Sequence, residues 1–202
     1  MPKIIAICNQ KGGVGKTTTA ISYARTVALS GRRTLLMDLD LRKPSIAPRL
    51  GIEPQTVLLD ALSGRSDLQD LDRALSQEQA SGLHVLPGGG RSDLPTDSLI
   101  ASARLDQVLD HYRSMFDVIV LDTAPVLPVV DTLYLARHAD LAAVLVRYAA
   151  TNQRDVRRAA DRLRGDMPPS AGILPIMSME QRARRAYYYG GYYYGGYGGG
   201  RK

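Results

Sequence analysis

The segment Lys11-Gly12-Gly13-Val14-Gly15-Lys16-Thr17-Thr18 holds the densest chemistry in the chain. Its glycines allow consecutive backbone N–H groups to face one anion, and a helix starting behind them adds the positive end of its dipole. In that setting Lys16 reaches the β- and γ-phosphates of a nucleotide, and the Thr17 hydroxyl ligates Mg²⁺. The strict spacing G-x-x-x-x-G-K-[ST] fails, because Gln10 stands where its first glycine belongs, and the segment fits the variant K-G-G-x-G-K-T. Three carboxylates add to it. Asp38 and Asp40, two residues apart after an apolar run, share one side of a strand end. One can hold a metal-bound water, and the other can take the proton of an attacking hydroxyl. Asp122 follows the apolar run Val118–Leu121 and is the natural further partner of a metal ion.

The C-terminus carries a different kind of group. Seven of the eleven tyrosines are Tyr187, Tyr188, Tyr189, Tyr192, Tyr193, Tyr194 and Tyr197, spaced by pairs of glycine. Residues 180–202 hold five basic side chains and one acid, which places +4 of the chain's net charge of +6 there. The body is nearly neutral, a weak basis for nucleic-acid binding.

The elements that must position these residues read as an alternation. Strands are expected at Lys3–Cys8, Thr34–Met37, His84–Leu86, Val118–Leu121, Leu141–Arg147 and Gly172–Ile176. Helices are expected at about Thr17–Ser30, Thr56–Leu62, Ser98–Ser114, Asp131–His138 and Gln153–Arg164. Such a series predicts an α/β fold, a doubly wound and mainly parallel sheet with helices on both faces. Ligands then sit beyond the carboxyl ends of the strands, where the glycine loop, Asp38, Asp40 and Asp122 all fall. Residues 1–178 read as one nucleotide-binding domain. Residues 179–202, without hydrophobic period, read as a disordered tail. A single cysteine, no membrane-length apolar run and no signal-peptide pattern point to the cytoplasm.

Taken together, the glycine loop, Asp38-Leu39-Asp40-Leu41-Arg42-Lys43-Pro44, Val85-Leu86-Pro87-Gly88-Gly89, Phe116–Leu127 and the tyrosine tail resemble the bacterial tyrosine kinases. These belong with the deviant-Walker P-loop ATPases and accompany polysaccharide chain-length regulators. The resemblance implies Mg·ATP as phosphoryl donor. It implies Asp40 as the base that deprotonates tyrosine, Asp38 and Asp122 in support of Mg²⁺, and Lys16 and Thr17 on the phosphates. The tail tyrosines become the acceptors, used between subunits of a dimer or larger homo-oligomer. A membrane polysaccharide co-polymerase or activator is the implied partner, recruiting the chain to the inner face of the membrane, with a tyrosine phosphatase opposing it.

Two features depart from that pattern. No Glu-x-x-Arg-x-x-Arg spacing is present, and Lys11 is the signature lysine of partition and Min-type ATPases. The alternative expectation is such an ATPase, a nucleotide-dependent dimerising switch on DNA or membrane with water as acceptor. Arg154, Arg157, Arg158 and Asp161 fall on one face of the last helix, opposite Val156, Ala160 and Leu163, and read as a solvated face rather than a DNA contact. His84, His111 and His138 lack metal-ligand spacing. Cys8 reads as a small buried hydrophobe.

Overall fold

The computed structural model describes residues 2–10, 15–90 and 94–178. Lys11, Gly12, Gly13 and Val14 of the glycine loop and all seven tail tyrosines lie outside the described residues. Seven strands form one sheet: β1 (Lys3–Asn9), β2 (Thr34–Leu39), β3 (Ser76–Gln77), β4 (His84–Leu86), β5 (Val118–Thr123), β6 (Leu141–Arg147) and β7 (Gly172–Ser178). Their spatial order is β3-β4-β2-β5-β1-β6-β7. All neighbours are parallel except β3, which runs antiparallel to β4. Among the described residues eight helices connect them: α1 (Lys16–Leu29), α2 (Ile46–Leu50), α3 (Val57–Leu62), α4 (Leu68–Ala74), α5 (Thr96–Ile100), α6 (Ala103–Met115), α7 (Asp131–Ala136) and α8 (Gln153–Asp166).

The central strands are buried on both sides because every residue must face one layer or the other. In β1, Ile4, Ala6 and Cys8 join the larger core with α3 through α8, whereas Ile5 and Ile7 join a smaller core with α1 and α2. The core is mainly aliphatic, with Tyr112 and Phe116 as an aromatic pair, 5.9 Å between ring centres. Cys8 is fully buried, its Sγ 3.6 Å from the Ala143 carbonyl oxygen. Burial pushes its thiol up to about 12.

Several expectations change in detail. The helix expected over Ser98–Ser114 is two helices, α5 and α6, parted at Ala101 and Ser102. Leu99 and Ile100 of α5 and Leu105, Val108 and Leu109 of α6 are all buried, and α5, at five residues, is too short to show a period of its own. Helices α2 and α4 and strand β3 were not expected, being too short to show a period. Asp67 opens α4 with a reciprocal cap, taking the Asp70 N–H at 2.9 Å while Asp70 takes its own at 3.3 Å. On α8 the buried residues are Ala159 and Leu163, not Ala160, because the helix turns its narrow small-residue edge to β6. Strand β7 has a neighbour on one side only, and it carries Pro175 and the exposed Leu174 and Met177.

A thiol with so high a pKa and no solvent contact is almost wholly protonated at pH 8. Native protein should resist thiol reagents for as long as the sheet is intact. Labelling of Cys8 followed by mass spectrometry along a urea titration should therefore coincide with the loss of far-ultraviolet circular dichroism.

Candidate active site

Two strand ends, those of β2 and β5, deliver the three acids. The β2–β5 register sets Asp38 opposite Asp122. Asp40 follows β2, and Lys16 and Thr17 open α1 behind Gly15, whose φ of +83° suits glycine. Lys16 Nζ donates to Asp122 Oδ1 at 2.5 Å and lies 3.5 Å from Asp40 Oδ2. Thr17 Oγ1 donates to Asp122 Oδ2 at 2.6 Å. One carboxylate thus spans the ammonium and the hydroxyl, both expected on phosphate and metal. Lys16, Thr17, Asp38, Asp40 and Asp122 are all buried.

Three acids share one ammonium here. Burial pushes the Asp38 carboxyl up to about 6, with the nearby Asp122 charge adding to it. The Ile46 and Ser45 N–H groups oppose this by donating to Asp38 Oδ2 at 2.9 and 2.8 Å. Its other oxygen, Oδ1, is buried without a hydrogen-bond partner among the described residues. Asp40 is raised as well, by burial first, with Lys16 pulling the other way. Excess buried negative charge and an unmatched acceptor fit a divalent cation, directly or through its water. Among the described residues no cluster of three His, Cys, Asp or Glu side chains could hold a metal by itself. Mg²⁺ commonly keeps waters and takes one or two carboxylates beside phosphate oxygens, so this donor set still suits it.

Several residues of the site carry no individual role in the sequence reading, Arg42 and Gly88 only as members of quoted motifs. Ser45 Oγ lies 2.8 Å from Thr17 Oγ1, so the same residue that binds Asp38 by its N–H also touches the loop threonine. Arg42 forms a fork on Asp131, with both bonds at 3.0 Å, and Thr96 Oγ1 adds a third at 2.9 Å. Arg49 Nη1 reaches Thr18 Oγ1 at 3.2 Å. Gly88 is bare for a reason: a Cβ there would meet the Asp38 carbonyl oxygen at 3.0 Å and Pro44 Cβ at 3.2 Å. A cavity of about 350 Å³ lies over the cluster, lined on its basic side by Lys16, Lys43 and Arg49 and on its apolar side by Pro125 and Val129. The histidines stand apart: His111 pairs with Asp72 at 2.9 Å, His138 with Asp106 at 3.3 Å, and His84 packs on Phe116.

The chain matches the AAA domain family over residues 2–153. It is 33% identical over 157 residues to the succinoglycan biosynthesis transport protein ExoP of Rhizobium meliloti, across 77% of this chain and 20% of that protein. It is 32% identical over 162 residues to the tyrosine-protein kinase CpsD of Streptococcus pneumoniae, across 80% of this chain and 70% of that protein. The chain belongs to the bacterial tyrosine kinase family of the P-loop ATPases. Among solved structures the kinase domain of VpsO is similar, with a TM-score of 0.77 and 29% identity over 87% of this chain and 85% of that one. The chain spans about a fifth of the length of ExoP and more than two thirds of CpsD. Within this kinase-family fold, the Asp40-to-Arg42 stretch is anchored at its far end on α7 through Asp131.

Removing Arg42 should therefore cost more than its partial exposure suggests, because Asp131 is almost wholly buried and would keep Thr96 as its remaining side-chain partner. Arg42→Ala is expected to lower unfolding stability by about 1–3 kcal/mol in urea. Arg42→Lys should recover only part of it, since a point charge replaces a two-toothed fork.

Proposed function

We propose that this chain is an ATP-dependent protein-tyrosine kinase that phosphorylates its own C-terminal tyrosines. The observation that carries the reading is the buried group of Lys16, Thr17, Asp38, Asp40 and Asp122 gathered at one sheet edge under a cavity. Lys16 exchanges a carboxylate for phosphate oxygens and holds the β- and γ-phosphates of ATP, beside the loop N–H groups of Lys11 to Thr18. Bound Mg²⁺ supplies charge neutralisation on those oxygens, with Thr17, Asp38 and Asp122 as its supports. Asp40 lies toward the cavity and is the base. Its raised affinity for protons suits it to take the phenolic proton as the tyrosine oxygen bonds to the γ-phosphorus and the bond to ADP breaks.

The acceptors in this reading are Tyr187, Tyr188, Tyr189, Tyr192, Tyr193, Tyr194 and Tyr197. Residues 1–178 act as the catalytic unit and 179–202 as its substrate segment. From Ser178, where β7 ends, to Tyr192 a coil would span about 21 Å, which suits delivery to the site of a neighbouring subunit in a homo-oligomer. Among the described residues no helix is long and apolar enough to cross a membrane. A membrane polysaccharide co-polymerase or activator is the partner we assign, acting from the cytoplasmic side, with a phosphatase to reset the tail. ExoP is named for succinoglycan transport and CpsD for tyrosine kinase activity, and exopolysaccharide or capsule export is the setting we infer.

Incubation with Mg·ATP should raise the intact mass in steps of about 80 Da, one per phosphate. Lys16→Met and a chain ending at Arg185 should show no gain. Release of free phosphate with no gain in mass would sink the kinase reading in favour of a nucleotide switch of the partition or Min type.

A further inference from the structure

The outer face of α8 carries Arg154, Arg157 and Arg158, all exposed. Their i, i+3, i+4 spacing sets three guanidinium groups along about 6 Å of helix. None of the three meets a carboxylate at ion-pair distance among the described residues. The other arginines of this helix are committed elsewhere. Arg162 donates to the Val126 and Leu127 carbonyl oxygens at 3.1 and 2.9 Å, and Arg164 pairs with Asp161 at 3.5 Å. Three like charges side by side repel, and an anion with several oxygens relieves that repulsion.

The path of the chain brings one candidate anion close. Strand β7 ends at Ser178, in register with Arg147 of β6, and the Tyr148 N–H donates to the Ser178 carbonyl oxygen at 2.9 Å. The turn beyond, with Ala149 at a φ of +54°, folds back so that the Thr151 N–H reaches the Arg147 carbonyl oxygen at 3.1 Å. Asn152 then caps α8 by accepting from the Arg154 N–H at 2.9 Å. Ser178 and Arg154 are thus parted by one tight turn. Residues 179–202 continue from Ser178, and Tyr187 comes nine residues on, a span of about 16 Å for a coil. Unmodified, residues 180–202 carry +4 and are repelled by the arginines. Each phosphate on tyrosine adds roughly −1.5 to −2 charges, so three reverse the sign of the segment.

We propose that the Arg154, Arg157 and Arg158 face of α8 is the docking site for the chain's own C-terminal segment once its tyrosines are phosphorylated. This rests on the reading of the tail as acceptor. The guanidinium groups take the phosphate oxygens as forked pairs. The same turn is tied to the end of β1 by Gln10 Nε2 donating to Thr151 Oγ1 at 2.9 Å, so the dock adjoins the nucleotide edge. Used tyrosines are retained on the body, clear of the catalytic acids.

The test uses the full, unmodified chain and a fluorescent peptide of residues 184–198 with phosphate on Tyr187, Tyr188 and Tyr189, read by anisotropy. The phosphopeptide should bind, and binding should weaken with added salt. The triple variant Arg154→Gln, Arg157→Gln, Arg158→Gln should lose about tenfold or more in affinity with an unchanged thermal melt. A set of single Arg→Gln variants, each losing part of the affinity, would support the same face. Equal binding by the triple variant, or by the unmodified peptide, overturns the proposal. Tighter binding of duplex DNA or anionic phosphatidylglycerol vesicles than of the phosphopeptide, lost in the triple variant, also overturns it. The peptide is synthetic, so the result is independent of catalysis: a chain that binds it yet releases free phosphate from Mg·ATP with no gain in mass refutes the kinase reading, not the dock.

Discussion

Lys16 carries more of this structure than any other side chain. A parallel sheet delivers its strand ends to one edge, and this sequence places Asp38, Asp40 and Asp122 there. Three buried carboxylates in that space repel one another. One ammonium at 2.5 Å from Asp122 and 3.5 Å from Asp40 holds the group together. The compensation is incomplete, and Asp38 holds its proton more tightly, through burial first and then the Asp122 charge beside it. An incomplete balance is what a site for a polyanion and a divalent cation requires. A fully neutral cluster would have no electrostatic reason to admit either.

The stretch from Asp38 to Ser45 behaves as a single part rather than as a string of acids. Asp38 is held by two N–H groups of the turn that follows it. Gly88 allows the β4 loop to lie against its backbone. Arg42 reaches across to α7, and Ser45 touches Thr17 of the glycine loop. The segment is therefore tied at several points to elements far apart in sequence, and Asp40 hangs from its middle. Precision at Asp40 comes from those ties, since a residue just past a strand end has few local constraints of its own.

Much of this was legible in the sequence. The strands came through because β-branched and leucine runs of parallel sheets are unbroken and bounded by turn residues, as in Val118–Leu121 and Leu141–Arg147. The association of Lys16 with Asp40 and Asp122 followed from topology, since all three were placed at strand ends on one edge. What stayed hidden depended on tertiary contact. Nothing in the local pattern of Asp131 tells it from an ordinary acid in a first helical turn, yet it anchors Arg42. Ser45 stands at the N-cap of α2 yet makes no side-chain cap bond, and its hydroxyl lies against Thr17 instead. The break between α5 and α6 escaped because α5, at five residues, is too short to show a period of its own.

The strand β7 has one further consequence. Proline is admitted to a sheet where its ring nitrogen faces away from the ladder, so Pro175 takes a donor from the open side of the sheet. Beside it stand two bare apolar side chains, Leu174 and Met177, which would otherwise invite another copy to extend the sheet. Wherever such chains are crowded together, a missing rung is a safeguard against irreversible fibre growth.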